Sequence, residues 1–123
     1  MSGGKRAGIL AGGSWLIDHV KIIDQYPSLD GVCYIEGKQT TANGGSPYNL
    51  LVDLSQMGAS FPLEAVGLVG KDADGDFIIK DLQRRKIDVS QIYRTNEAPT
   101  SFTDVFSEKE SGRRTFFHHK VTN

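Results

Sequence analysis

Asn43–Gly58 reads N-G-G-S-P-Y-N-L-L-V-D-L-S-Q-M-G, and the fold turns on how this stretch is read. Two adjacent glycines let the backbone turn tightly and let a ligand come close. Ser46 offers a side-chain oxygen as a helix N-cap, and Pro47 suits the first helical position, where no N–H is needed. Leu50, Leu51, Leu54 and Met57 recur at helical spacing, and Gly58 stands where a helix commonly closes. A glycine turn therefore feeds the N-terminus of a buried helix. It presents free N–H groups, and Asn49 in the first turn, to whatever lies ahead. Taken alone, the same residues also describe an ordinary loop-to-helix junction.

Working outward, Ala7–Ala11 is a short apolar run stopped by Gly12-Gly13, the pattern of a buried strand and turn. Trp15, Leu16, Ile17, Val20, Ile22 and Ile23 follow, interrupted by Asp18 and His19. A carboxylate inside such a segment either sits on the solvated side of a strand or points into a cleft as a hydroxyl acceptor. Gln25–Gly31 reads as a loop. Val32–Ile35 and Gln39–Thr41 flank Glu36-Gly37-Lys38 as two short strands around a glycine turn. Beyond the central helix, Pro62–Val69 predicts a second buried strand, and Asp72 caps a helix with Phe77, Ile78 and Leu82 as its apolar stripe. Gln91–Arg94 is a further short strand. Ser101–Ser107 and Arg113–His119 form a hairpin around Glu108–Gly112. Strand, helix, strand, helix, strand is the alternation of a parallel sheet with flanking helices.

Composition narrows the function classes. The 123 residues suit one small domain, and lysine plus arginine number 14 against 15 acidic residues, giving a formal charge of -1. That balance leaves no electrostatic footprint for nucleic acid or an anionic membrane. Cys33 is the single cysteine, so no internal disulfide forms. No apolar run approaches a spanning helix, and Met1–Gly4 and the Ala7–Ala11 run do not resemble a secretory leader. A soluble, cytoplasmic domain is the expectation.

Several familiar motifs fail on inspection. Gly67–Asp72 lacks the first glycine and the Ser/Thr of a phosphate loop. Asp72–Asp76 has its glycine too early for a calcium loop and no closing glutamate. His118 and His119 are adjacent, so on a strand they point to opposite faces and cannot chelate one metal.

In register, the remaining pieces resemble the N-terminal part of the ribokinase-like carbohydrate kinases, the PfkB family. Gly13-Ser14 with Asp18 resembles the family's first strand and turn. Gly44-Gly45-Ser46-Pro47-Tyr48-Asn49, continued by Leu54, Met57 and Gly58, resembles its first signature. Val69-Gly70-Lys71-Asp72, with Gly75 and Leu82, resembles its V-G-x-D-x-x-G helix start. Thr100 and the Gly112–Phe116 turn and strand resemble its lid hairpin. The resemblance spans essentially the whole chain.

It implies an α/β fold with a Rossmann-like parallel sheet, flanking helices and a small β-sheet lid drawn from residues 32–41 and 101–119. It also implies phosphorylation of a sugar hydroxyl by ATP with magnesium. By position, Asp18 is similar to the carboxylate that accepts sugar hydroxyls, Gly44 and Gly45 to the backbone lying against the sugar, and Asn49 to a second hydroxyl partner. Two departures stand out: Ser46 replaces the lysine of many ribokinases, and Val121-Thr122-Asn123 replaces the usual glycine and alanine before the asparagine. The family's C-terminal D-T-x-G-A-G-D signature, which forms the anion hole and supplies the catalytic aspartate, does not occur here. The catalytic and nucleotide-binding part is thus expected to be absent, with the chain acting as a sugar-binding portion or a non-catalytic binding module; a nucleoside is the alternative acceptor. An incomplete sheet exposes an apolar edge, so association with a second copy through the lid or that edge is also expected.

Overall fold

The computed structural model describes residues 6–121; the expectations for Met1–Gly4 and for Thr122-Asn123 lie outside them. In chain order the elements are β1 (Ile9–Gly12), β2 (Leu16–Ile23), β3 (Ile35–Gly44), α1 (Ser46–Gln56), β4 (Leu63–Gly70), α2 (Ala73–Arg84), β5 (Asp88–Thr95), β6 (Ser101–Glu108) and β7 (Arg114–His119). β1, β4 and β5 form a parallel sheet in the order β1-β4-β5, and α1 and α2 pack against it. Strand residues Ala11, Ala65, Val69 and Ile92 and helix residues Leu51, Val52, Ile78 and Leu82 bury one another in its core. Among the described residues no helix is long and apolar enough to cross a membrane.

A second sheet runs β3-β2-β6-β7, with β2 and β6 parallel and each edge strand antiparallel to its neighbour. Trp15 marks the passage from one sheet to the other. Its ring is fully buried, and its Nε1–H donates to the Val66 carbonyl at 2.8 Å, one of the carbonyls of β4. Next along β2, Ile17 is also fully buried in the main core, and its register partner Phe102 packs there too. One face of the second sheet is therefore fixed against the body of the molecule. His19 reaches α2 from the same face, with Nε2 3.1 Å from the Asp74 carboxylate.

Three expectations need correction. The segment read as two strands around Glu36-Gly37-Lys38 is one strand. Val20 pairs with Thr40 and Ile22 with Glu36, so the extra residues around Gly37 (φ 70°) form a bulge, and Val32–Tyr34 lie outside β3. Ser46 is not the N-cap of α1. Gly45 holds that place at φ 102°, its carbonyl accepting the Asn49 N–H at 3.1 Å, and no side chain caps the helix. The apolar stripe of α1 is also displaced: Pro47, Leu51 and Val52 are buried, whereas Leu50 and Met57 are 48% and 80% exposed. β2 stands inside the second sheet, between β3 and β6.

The Asp72 cap is as the sequence reads, and it does more than cap. Its carboxylate accepts from the Gly75 N–H (2.8 Å), the Thr100 N–H (2.8 Å) and the Thr100 hydroxyl (2.7 Å), while Thr100 Oγ1 accepts from the Gly70 N–H at 2.9 Å. One side chain thus joins the end of β4, the start of α2 and the entry to β6. Asp81 plays a parallel part on α2, accepting from Tyr48 of α1 (2.5 Å) and Asn43 of β3 (3.0 Å) and pairing with Arg84 and Arg85. Burial alone would raise both carboxyls, but these hydrogen bonds and the nearby arginines outweigh it and hold each below 3.8. A carboxyl depressed in the folded state contributes stability above its unfolded value, lost as pH falls through the folded one. Acid titration below about pH 4 should therefore destabilise the parent, and Asp72→Asn, which keeps only Asp81 of the two, should lose less over the same range. At neutral pH Asp72→Ala should cost about 2 kcal/mol in denaturant unfolding, the sum expected for a lost cap and lost charge-assisted bonds; an unchanged midpoint would contradict the role assigned to Asp72.

Candidate functional site

Side chains alternate across a strand, so fixing Ile17 inward sends Asp18 to the other face of the second sheet. There the register aligns Ala42, Asp18, Thr103 and His118 in one cross-strand row, and Gly44, Leu16 and Ser101 in the next. Asp18 is half-buried. A cleft of about 200 Å³ is lined by Ser14, Leu16, Ser101, Phe102, His118 and His119 among others, and Asp18 is not one of its lining residues.

The two glycines that the sequence singles out have separate tasks. A Cβ on Gly44 would stand 2.8 Å from Leu16 Cδ1 and 2.9 Å from Asp18 Oδ2, so glycine leaves the Asp18 carboxylate room against the backbone of β3, and a larger residue would push these two side chains aside. Gly45 takes a left-handed φ of 102°, and a Cβ there would run into the Ser14 carbonyl. The chain can therefore turn from β3 into α1 directly under the Gly13–Ser14 loop. The structure brings Asp18, Gly44 and Gly45 together. Asn49 follows in the first turn of α1 with its side chain exposed, and no hydrogen bond among the described residues links it to Asp18.

Burial is the largest influence on Asp18 and raises its carboxyl above 3.8; Arg114, His118, the Thr103 hydroxyl and His19 pull the other way without cancelling it. Thr103, Arg114 and His118 were not among the sequence-derived site residues. Their alternation with Asp18's face is visible only once β6 and β7 are aligned on β2. The reading of His118 and His119 as opposite-facing holds: His118 approaches Thr103, and His119 lies edge-on to Phe102 with ring centroids 5.2 Å apart.

A model of the pfkB family carbohydrate kinases matches residues 13–121. The chain belongs to that family. It is 33% identical over 81 residues to a fructokinase of Salmonella typhimurium, covering 66% of this chain and 25% of that protein. A 5-dehydro-2-deoxygluconokinase of Clostridium perfringens is 34% identical over 74 residues, covering 55% of this chain and 20% of its own length. The chain thus spans about a quarter or less of these curated relatives. Among solved structures, ribokinase of Arabidopsis thaliana complexed with ribose and ATP superposes with a TM-score of 0.79 over 94% of this chain and 36% of that one, at 20% identity. The mixed α/β fold with a parallel sheet and a second sheet is that of the ribokinase-like kinases.

The N-terminus of α2, where an anion could be received, is closed by the Asp72 carboxylate on the Gly75 N–H. A raised carboxyl makes a prediction about Asp18 itself. The ionised form is the one folding disfavours, so the group's favourable contribution exists below the unfolded value and is lost as pH rises through the folded one. Without ligand, Asp18→Asn should melt higher than the parent at neutral pH, with the gap closing near pH 3; a variant less stable than the parent at neutral pH would contradict this account of the site.

Proposed function

We propose that these residues are the sugar-binding portion of an ATP-dependent carbohydrate kinase. The observation that carries this reading is Asp18: a carboxylate held half-buried against Gly44, where burial disfavours its charge. An ionised carboxylate is a pure acceptor and suits a polyol, each of whose hydroxyls can donate to it. In this role Asp18 accepts sugar hydroxyls, the Gly44–Gly45 backbone lies against the sugar, and Asn49 at the start of α1 supplies a second hydroxyl partner. A site of this kind rejects molecules that leave its polar groups unpaired.

Transfer of the phosphoryl group needs an anion hole and a base poised at the acceptor hydroxyl. The D-T-x-G-A-G-D signature that serves this in the family is not in these 123 residues, and Asp18 holds the sugar rather than replacing that base. ATP, with magnesium as its companion ion, is accordingly the phosphoryl donor of the whole kinase, and the chain by itself binds without transferring. Association of two copies belongs to the same reading. β7 is an edge strand exposed along its length, with Phe116 and Phe117 54% and 59% exposed.

Calorimetric titration of the full-length protein with D-fructose, 5-dehydro-2-deoxy-D-gluconate, D-ribose and adenosine tests the reading. One sugar should bind, Asp18→Ala should weaken it on the order of a hundredfold, and ATP should then be consumed only with that sugar present. Sugar binding by Asp18→Ala equal to the parent would sink the assignment, and binding of adenosine alone would make the protein a nucleoside kinase. Sedimentation should show a dimer; a monomer at tens of micromolar would remove the association.

A further inference from the structure

The cleft of about 200 Å³ at the end of β7 has a lining of marked chemistry. His118, His119 and Lys120 supply one part of it, and Ser14, Leu16 and Ser101 another. β7 is an edge strand, so adjacent residues of opposite faces can both reach a cleft at its end. No carboxylate belongs to the lining. Among the described residues none pairs with His118, His119 or Lys120 either. The whole chain carries a formal charge of -1, so this gathering of N–H donors and positive charge is local. A concave surface lined by one sign of charge concentrates ions of the other.

The cleft adjoins the candidate site through residues the two share. Leu16 lines the cleft, and its Cδ1 stands 2.8 Å from where a Gly44 Cβ would be. Ser101 is the register partner of Leu16, and His118 lies in the register row of Asp18 and Thr103. The two rows are about 7 Å apart along the strands, a separation that the carbon chain of one sugar bridges. Two of the donors are already held. His118 Nδ1 lies 2.6 Å from Thr103 Oγ1, and His119 packs edge-on to Phe102 with centroids 5.2 Å apart. Side chains ordered before binding lose less freedom when a ligand arrives. Lys120 adds a point charge on a flexible stem, and bonds from a charged donor to an anion are the strong kind.

We propose that this cleft is an anion subsite of the sugar site, where Lys120, His118 and His119 hold a carboxylate or phosphate substituent of the sugar whose hydroxyls Asp18 accepts. The acceptor is then an acidic sugar rather than a neutral one. The link to a sugar rests on the reading of Asp18 as its ligand; the affinity of the cleft for an anion rests on its own lining.

Two titrations of the full-length protein separate these. In the first, millimolar inorganic phosphate or acetate should move the ring NMR signals of His118 and His119. Lys120→Ala should abolish the movement and Lys120→Arg should keep it. Signals that neither anion moves, or a movement that Lys120→Ala leaves intact, would overturn the subsite whatever Asp18 does. The second is calorimetry with matched pairs, D-gluconate against D-sorbitol and D-fructose 6-phosphate against D-fructose. In one pair the anionic member should bind at least about tenfold more tightly, as for one charge-assisted hydrogen bond, and Lys120→Ala should remove that preference. Preference in the first pair assigns a carboxylate, and in the second a phosphate. Equal binding within both pairs, a Lys120→Ala loss shared equally by both members, or a loss confined to the KM for ATP would overturn the proposal. Should no sugar bind, or Asp18→Ala bind the anionic sugar like the parent, the sugar-site reading itself has failed, and the phosphate and acetate titration then decides the cleft alone.

Discussion

The arrangement depends on a single carboxylate that takes three hydrogen bonds from two distant parts of the chain. Asp72 holds the first turn of α2 through Gly75 and the entry to β6 through Thr100. Arg94 at the end of β5 reinforces the point, donating to the Gly70 and Asp72 carbonyls and pairing with Asp76. The second sheet leaves the main body where the chain crosses near Trp15, Gly45 and Thr100. The first crossing is locked by the indole, the last by Asp72, and Asn43 beside the middle one is held by Asp81. Since the Asp18 face is defined by the other face being buried, these three locks also orient the site.

Much of this was legible in the sequence because it is local. A capping aspartate three residues before a glycine, a Gly-Gly pair before a proline, and two Phe-rich runs around a polar turn each carry their structure within a few residues. Where reading failed, local signals were degenerate. A glycine at positive φ serves a hairpin turn or a bulge equally well, and at Gly37 the antiparallel partner β2 chose the bulge. In α1, leucines and a methionine occupy more than one helical face, and only packing against β1 and β4 selects Leu51 and Val52 over Leu50 and Met57.

The candidate site divides along the same line. Asp18, Gly44, Gly45 and Asn49 were singled out through the resemblance to the family's motifs, and the structure supplies a physical reason for the glycines that the motif does not: room for a carboxylate at Gly44 and for a carbonyl at Gly45. Thr103 and His118 could not be read in this way, since their meeting with Asp18 is a matter of register between strands far apart in sequence. A half-buried acid whose ionisation burial disfavours is costly to keep in an unliganded fold.

The most direct measurement is a crystal structure of the full-length protein grown with its sugar. The account predicts ring hydroxyls within hydrogen-bond distance of both Asp18 carboxylate oxygens, with the sugar resting on the Gly44–Gly45 backbone at the start of α1. A sugar bound elsewhere, with Asp18 facing only solvent, would contradict it.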